Sequence, residues 1–325
     1  MPSAALRPRD AANALIPKTD LPVEDVVDDV RRALADVHSC VLVAPPGAGK
    51  TTLLPLRLVD EPWLAERTIV MLEPRRLAAR AAARRLSALV GDEPGGLVGY
   101  QTRDERRIGK STRIHVVTEG ILTRRLQSDP ELPGVGLVIF DEVHERNLPT
   151  DLGLALVLDA RRALRPDLRI LAMSATAAAD RFARLLGDGT PIVTSDGRQF
   201  PVDVRWSPPA KQQRLDDAVS RTVQRALREC DGDVLVFLPG IGEINRVQSL
   251  LESDLPQNVD VHRLAGALSL ADQDRALAPS PIGRRRVVLS TDIAETSLTV
   301  DGVSVVVDAG EARVPRYDPR TDRKS

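Results

Sequence analysis

Apolar residues in this chain fall into short runs separated by longer stretches of mixed character. Runs rich in valine, isoleucine and leucine occupy residues 41–44, 68–73, 114–117, 135–140 and 169–173. Each is followed by a glycine, proline, aspartate or serine cluster and then by an alanine-, leucine- and arginine-rich stretch. Short apolar runs bounded by turn residues predict buried strands, and the stretches between them have helical character. That alternation predicts an α/β fold, a mainly parallel sheet with helices on both faces. Ligands in such sheets bind beyond the carboxyl ends of the strands, so the residues just after each run carry most interest.

The rhythm breaks near residues 191–209, where Ser195-Asp196-Gly197-Arg198 and Pro208-Pro209 interrupt it, and then restarts with a helix at 217–230 and strands at 234–238, 287–290 and 303–307. At 325 residues the chain has room for about two domains. We expect a flexible N-terminal arm at 1–20, a first domain at 21–197 and a second at 198–325. The restart resembles the beginning: Val234-Leu235-Val236 through Gly240 and Gly242 aligns with Val41-Leu42-Val43 through Gly47 and Gly49, but Lys50 and Thr51 become Glu243 and Ile244. A similarity this short also arises by chance in βα proteins. If it is a true repeat, the second half is a related domain that has lost phosphate-binding chemistry, and the pair shares one nucleotide.

Composition narrows the class. Hydrophobic residues at 42% and charged residues at 28% are those of a soluble globular protein. No apolar run approaches the roughly 20 residues of a membrane helix. The first twenty residues lack the apolar stretch of a secretory signal, so a cytoplasmic location is expected. Cys40 and Cys230 are too few for a disulfide framework or a zinc site and read as idle thiols. A net charge of −1 argues against wholesale, charge-driven nucleic-acid binding, and 2% aromatics argue against stacking platforms. A polynucleotide would have to be held by local arginine clusters. These are Arg75-Arg76 with Arg80, Arg84 and Arg85; Arg103 with Arg106 and Arg107; Arg124-Arg125; and Arg284-Arg285-Arg286. Most read as solvated faces, and those beside the motif loops are the better candidates for phosphate contacts.

Two runs carry chemistry. Gly47-Ala48-Gly49-Lys50-Thr51-Thr52 follows the first apolar run and keeps the core of a phosphate-binding loop, although Ala44 stands where the strict pattern has glycine. Glycines let backbone N–H groups curl round a phosphate, Lys50 would reach the β- and γ-phosphates, and the Thr51 hydroxyl would ligate Mg²⁺. Asp141-Glu142-Val143-His144 leaves the apolar run at 135–140. Adjacent carboxylates at a buried strand end are costly unless a cation or a proton transfer employs them. Asp141 fits a magnesium-holding acid, and Glu142 fits the group that positions and deprotonates an attacking water. His144 alone is a weak clue. His38, His115 and His262 read as structural donors, with His262 near a loop that could face a ligand. Ser174-Ala175-Thr176 could equally be a helix N-cap.

Taken in order, the phosphate-loop run, Glu73-Pro74-Arg75-Arg76, Thr118-Glu119-Gly120, Asp141-Glu142-Val143-His144, Ser174-Ala175-Thr176, Phe237-Leu238-Pro239-Gly240 and the stretch 290–302 resemble the ordered motifs of DEAH/DExH-box RNA helicases, the bacterial HrpB-type branch in particular. The resemblance covers roughly residues 22–325. It implies two tandem RecA-like domains with ATP and Mg²⁺ in the cleft between them, and a single strand of RNA or DNA held through its backbone. It implies strand contacts from Arg75, Arg76, Thr118 and Gly120 in the first domain and from Pro239, Gly240 and Thr291 in the second. Ser174 and Thr176 would couple hydrolysis to strand movement with the help of His144. Asp301 would approach the nucleotide, and Arg85 would stack on its adenine.

Some positions depart from the family pattern. Val143 replaces the name-giving alanine, which has no chemical role. Leu277 stands where eukaryotic members place a phenylalanine against the adenine, implying looser base selection. The family's Gln-Arg-x-Gly-Arg-x-Gly-Arg stretch with its arginine fingers is not found after Tyr317-Asp318-Pro319, so a truncated chain with weak hydrolysis is expected. The resulting expectation is an ATP-dependent helicase motor core. An ATP-switched RNA clamp and a phosphate-loop ATPase acting on another kind of partner are the alternatives. The oligomeric state is left open.

Overall fold

In the computed structural model the chain divides into two compact units, residues 1–200 and 201–325. The structure describes residues 16, 18–176, 179–197, 201–294, 300–313, 317–318 and 323–324. Most of the expected N-terminal arm lies outside these residues, as does 295–299 within the motif at 290–302.

In the first unit the helices are α1 (Val27–Asp36), α2 (Leu54–Leu58), α3 (Arg76–Leu89), α4 (Glu119–Ser128), α5 (Leu148–Ala163) and α6 (Ala179–Leu186). The strands are β1 (Ser39–Val43), β2 (Thr68–Leu72), β3 (Val98–Gln101), β4 (Arg106–Arg107), β5 (Ile114–Val117), β6 (Val135–Phe140), β7 (Arg169–Ser174) and β8 (Ile192–Thr194). They form one sheet in the order β4-β3-β5-β2-β6-β7-β1-β8, parallel throughout except for the β3–β4 pair.

The central strands are apolar apart from Ser39, Thr68, Arg169 and Ser174 at their ends, because both of their faces are covered. Alternate residues divide between two cores. Cys40, Leu42, Ile69, Met71, Leu137, Ile139, Leu171 and Met173 face α1 and α3, which contribute Val30, Leu34, Ala79, Ala83 and Leu86. Val41, Val70, Leu72, Val138, Phe140, Ile170 and Ala172 face α4, α5 and α6, which contribute Leu122, Leu126, Leu154, Val157 and Phe182. All six residues of β6 are buried. At roughly 1.5–3 kcal/mol for each large apolar side chain, this burial anchors the sheet centre firmly in the unit. Whatever leaves the carboxyl end of β6 is therefore held on a rigid base.

The second unit contains α7 (Leu215–Glu229), α8 (Ile241–Glu252), α9 (Leu270–Leu277), β9 (Asp233–Phe237), β10 (Val259–Leu264), β11 (Arg285–Ser290) and β12 (Val303–Asp308). Its sheet is parallel in the order β10-β11-β9-β12. Val219 and Val223 of α7 and Ile244, Val247 and Leu251 of α8 pack onto Val234, Val236, Val287 and Leu289. A short antiparallel pair, β13 (Tyr317–Asp318) with β14 (Arg323–Lys324), follows.

Several expectations change at this level. β10 alternates apolar and polar side chains and is half-exposed along most of its length, so it does not stand out as an apolar run. His262 therefore lies on a strand and not beside a loop, where burial pushes its imidazole down. The Arg284-Arg285-Arg286 cluster is largely structural. Arg286 is 1% exposed, pairs with Asp233 at 2.8 Å and donates to the Ala276 carbonyl, while Arg285 donates to the carbonyls of Leu227, Cys230 and Gly232. The proposed repeat holds for the strand but not for the loop. Gly49 has φ +93°, whereas Gly242 lies inside α8, which begins one residue after Gly240.

No helix among the described residues is long and apolar enough to cross a membrane. Cys40 is buried in β1, and burial pushes its thiol up to about 12. Cys230 is partly exposed. Titration with a disulfide-exchange reagent at pH 8 is thus expected to label one thiol in the folded chain and two in denaturant, since the thiolate is the reactive form. Prompt labelling of both in the folded chain would contradict the burial of Cys40.

Candidate nucleotide-binding site

The sheet order explains why residues far apart in sequence meet. Reading across β5-β2-β6-β7-β1, the first residues beyond the carboxyl ends are Thr118, Glu73, Asp141, Ala175 and Ala44. The sequence-predicted chemistry of the first unit thus lies along one sheet edge.

The phosphate loop leaves β1 at Ala44, which is fully buried and donates its N–H to the Ser174 carbonyl at 3.0 Å. Ala44 is not among the residues with positive φ, so alanine serves where the strict pattern has glycine. Gly47 (φ +78°) and Gly49 (φ +93°) take left-handed conformations that disfavour other residues. A Cβ at Gly49 would come within 3.0 Å of both Leu21 and Val23, and the Val23 N–H donates to the Ala48 carbonyl at 2.9 Å. The loop therefore rests on the segment that precedes α1. Residues 51–53 form turns and α2 starts at Leu54.

Lys50 is 5% exposed, and its Nζ lies 2.8 Å from Glu142 Oε1. Burial opposes its charge, but the Asp141 and Glu142 carboxylates outweigh burial and hold the ammonium above the ordinary lysine range. The Thr51 hydroxyl donates to Asp141 Oδ2. The lysine thus bonds a carboxylate where a phosphate oxygen would sit, and the hydroxyl is already beside the acid with which it would share a metal. Asp141 is fully buried, and its Oδ1 accepts from the Glu142 N–H at 2.8 Å. Glu142 turns away from the strand with φ +50°, and Arg146 at φ +54° closes the short turn Val143–Glu145. Burial and then the Asp141 charge push the Glu142 carboxyl up, with Lys50 pulling it back.

His144 Nδ1 sits 3.3 Å from Glu142 Oε2 and also 3.3 Å from the Ala175 N–H. One ring nitrogen cannot donate to the carboxylate and accept from the amide at once, so the ring's tautomer decides which of the two contacts is made. Ser174 is fully buried, and its hydroxyl donates to the Thr176 carbonyl and accepts from the Thr176 N–H. The Ser174-Ala175-Thr176 segment is consequently bonded to both the phosphate-loop strand and the acidic turn.

Around this centre, Arg75 precedes α3 and lies 3.8 Å from Glu145, Arg76 is exposed and pairs with Asp104, and Arg85 is exposed on α3. Thr118 is the N-terminal cap residue of α4, with Gly120 exposed two residues on. In the second unit Pro239 and Gly240 lead into α8, Thr291 follows β11, and Asp301 is exposed with its carbonyl accepting from Arg286.

Glu73, which the sequence shows only as part of a motif, is the fourth titratable group of the centre. It is fully buried beside Asp141, Glu142 and Lys50, and neither of its carboxylate oxygens has a donor. Burial first, then the Asp141 and Glu142 charges, push its carboxyl well up. A strand-end glutamate is visible in the sequence, but the burial that makes it informative is not.

This donor set fits a divalent cation only in combination with phosphate oxygens. Among the described residues no group of three His, Cys, Asp or Glu can hold a metal by itself. Thr51 and Asp141 would hold Mg²⁺ beside the phosphates, where the ion would neutralise phosphate charge.

Comparison with known proteins agrees with this chemistry. The chain matches the DEAD/DEAH box helicase family over residues 28–185 and the helicase conserved C-terminal domain over 211–319. It is 51% identical over 303 residues to the ATP-dependent RNA helicase HrpB of Escherichia coli K12, covering 93% of this chain and 37% of that protein. It is 36% identical over 323 residues to the ATP-dependent RNA helicase HrpA of the same organism, covering 96% and 24%. The crystal structure of the Escherichia coli DEAH/RHA helicase HrpB aligns with TM-score 0.86 at 50% identity, covering 94% of this chain and 39% of that one. The chain thus spans between a quarter and two-fifths of the length of these relatives. Its two units are tandem RecA-like helicase domains, and the chain belongs to the DEAD/DEAH box helicases.

Proposed function

We propose that this chain is the ATP-dependent motor core of an RNA helicase, binding ATP with Mg²⁺ at the loop Gly47–Thr52 and using hydrolysis to move or remodel a single strand in the cytoplasm. The observation that carries this reading is the pair of contacts Lys50–Glu142 and Thr51–Asp141, which assemble a phosphate-binding cation, a metal-binding hydroxyl and two acids. Lys50 and Thr51 would exchange these partners for phosphate and metal, releasing Glu142 to accept a proton from water. Arg85 and Asp301 are proposed as further nucleotide contacts. Arg75, Arg76, Thr118 and Gly120, with Pro239, Gly240 and Thr291, are proposed to touch the strand backbone, and Ser174 and Thr176 to relay the nucleotide state with His144.

The test is nucleotide binding and hydrolysis by the 325-residue chain with and without single-stranded RNA and DNA. Polynucleotide is expected to raise ATP affinity or turnover. If no polynucleotide changes either, the motor reading fails and an ATPase with another kind of partner takes its place. A salt series gives the number of phosphates engaged, because log K falls with log salt at about −0.7 per single-strand phosphate. Arg76→Ala is expected to make that slope shallower by about one contact while weakening RNA of different sequences equally.

A further inference from the structure

The partners in the nucleotide site can be accounted for one by one. Lys50 Nζ is bonded to Glu142, and the Thr51 hydroxyl and the Glu142 N–H are bonded to Asp141. Glu73 is left over: it is fully buried, next to Asp141 across the β2–β6 pair, and both of its oxygens lack a donor. Leaving a buried carboxylate without donors is unfavourable, because it loses its hydration and gains nothing in exchange. The Glu73 N–H is already spent on the Val117 carbonyl, and the relief available within the site is a proton shared with the Asp141 side chain, which leaves one of the two carboxyls neutral. Donors for the charged form of Glu73 must therefore arrive with whatever the site binds. Glu73, Asp141 and Glu142 face the single ammonium of Lys50. The incoming group must also bring positive charge, which a triphosphate alone does not. Water carried by a divalent cation brings both O–H donors and charge, and among the described residues no three His, Cys, Asp or Glu side chains are grouped to hold a metal directly.

Building on the nucleotide-binding reading above, we infer that Glu73 is an outer anchor of the metal site, its carboxylate accepting hydrogen bonds from water bound to the divalent cation that accompanies the nucleotide. Glu73 is then a positioning residue. It orients the metal's water shell from the side opposite the phosphates and leaves direct coordination to Thr51 and Asp141.

Glu73→Gln keeps the shape while removing the charge and one acceptor oxygen, so the fold is retained. Binding of a fluorescent ATP analogue to the 325-residue chain is measured at a series of Mg²⁺ concentrations and in EDTA. For Glu73→Gln the Mg²⁺ concentration giving half-maximal enhancement is expected to rise about tenfold or more, with EDTA affinity equal to or tighter than that of the wild type. Mn²⁺ titration followed by paramagnetic resonance in the presence of nucleotide is expected to show the same weakening without any turnover. An unchanged Mg²⁺ requirement overturns the assignment, as does an equal loss of affinity with and without metal. Lys50→Ala is measured in parallel. If analogue binding depends on neither Lys50 nor Mg²⁺, the nucleotide reading falls and this inference falls with it. If wild-type binding depends on both and Glu73→Gln behaves as wild type, only the role given to Glu73 is lost.

Discussion

Lys50→Ala is expected to weaken ATP binding by about 2–4 kcal/mol, roughly 30- to 1000-fold, as two charge-assisted contacts to phosphate are lost. The effect has a second source in the protein itself. Lys50 and Glu142 form an ion pair in which both side chains are more than nine-tenths buried. Removing one member of such a pair costs about 3–5 kcal/mol, because the other is left charged in a poorly solvated place. With Glu73 and Asp141 alongside, the truncated site is left with three acids and no ammonium among them. A lower melting temperature is therefore expected together with the loss of binding. Calorimetric titration with an ATP analogue, set beside a thermal melt, measures both. Wild-type affinity in a folded Lys50→Ala chain would remove the phosphate loop from the account.

Glu142→Gln is expected to separate binding from chemistry. The amide keeps the volume and still accepts one hydrogen bond, so ATP affinity changes by no more than a few-fold and can tighten as repulsion of the triphosphate falls. Turnover is expected to drop by about 10²- to 10⁴-fold, the usual contribution of a positioned base. The pH profile adds a sign. Burial and the Asp141 charge raise the Glu142 carboxyl, so its base form is lost on acidification at a higher pH than an exposed glutamate would require. Wild-type turnover is expected to fall as pH drops through that raised value, and the residual rate of Glu142→Gln is expected to lack that limb. Steady-state ATPase across pH 5–9 reads both effects, and turnover within about threefold of wild type would exclude Glu142 as the base.

Much of this arrangement is legible in the sequence because the first unit writes its sheet in continuous apolar runs. The six buried residues of β6 mark the central strand, and the acids that follow stand out by contrast. The strands at 114–117 and 135–140 sit where the pattern puts them, and the others differ by one or two residues at their ends. What stays hidden depends on burial and on neighbours across strands. β10 mixes Asp260, His262 and Arg263 with its valines and is only half-buried over most of its length, so it lacks an apolar signature. Arg286 looks like part of a basic surface cluster and is in fact buried against Asp233, a pairing that exists only once β9 and β11 lie side by side. Glu73 likewise becomes part of the centre only when β2 is placed next to β6. Gly242 shows the converse limit: it aligns with Gly49, yet it sits within a helix and offers no curled loop.

The support of the phosphate loop by Leu21 and Val23 sets a practical boundary for trimming this protein. Neither residue belongs to a recognisable motif, and a shortened version beginning at α1 would keep every residue of the loop itself. It would nevertheless take away the surface against which Gly49 is pressed and the amide that fastens Ala48. A fragment meant to keep this loop in its present shape is therefore expected to begin at or before Leu21, and the few residues ahead of the first helix belong to the loop's support as much as its own glycines do.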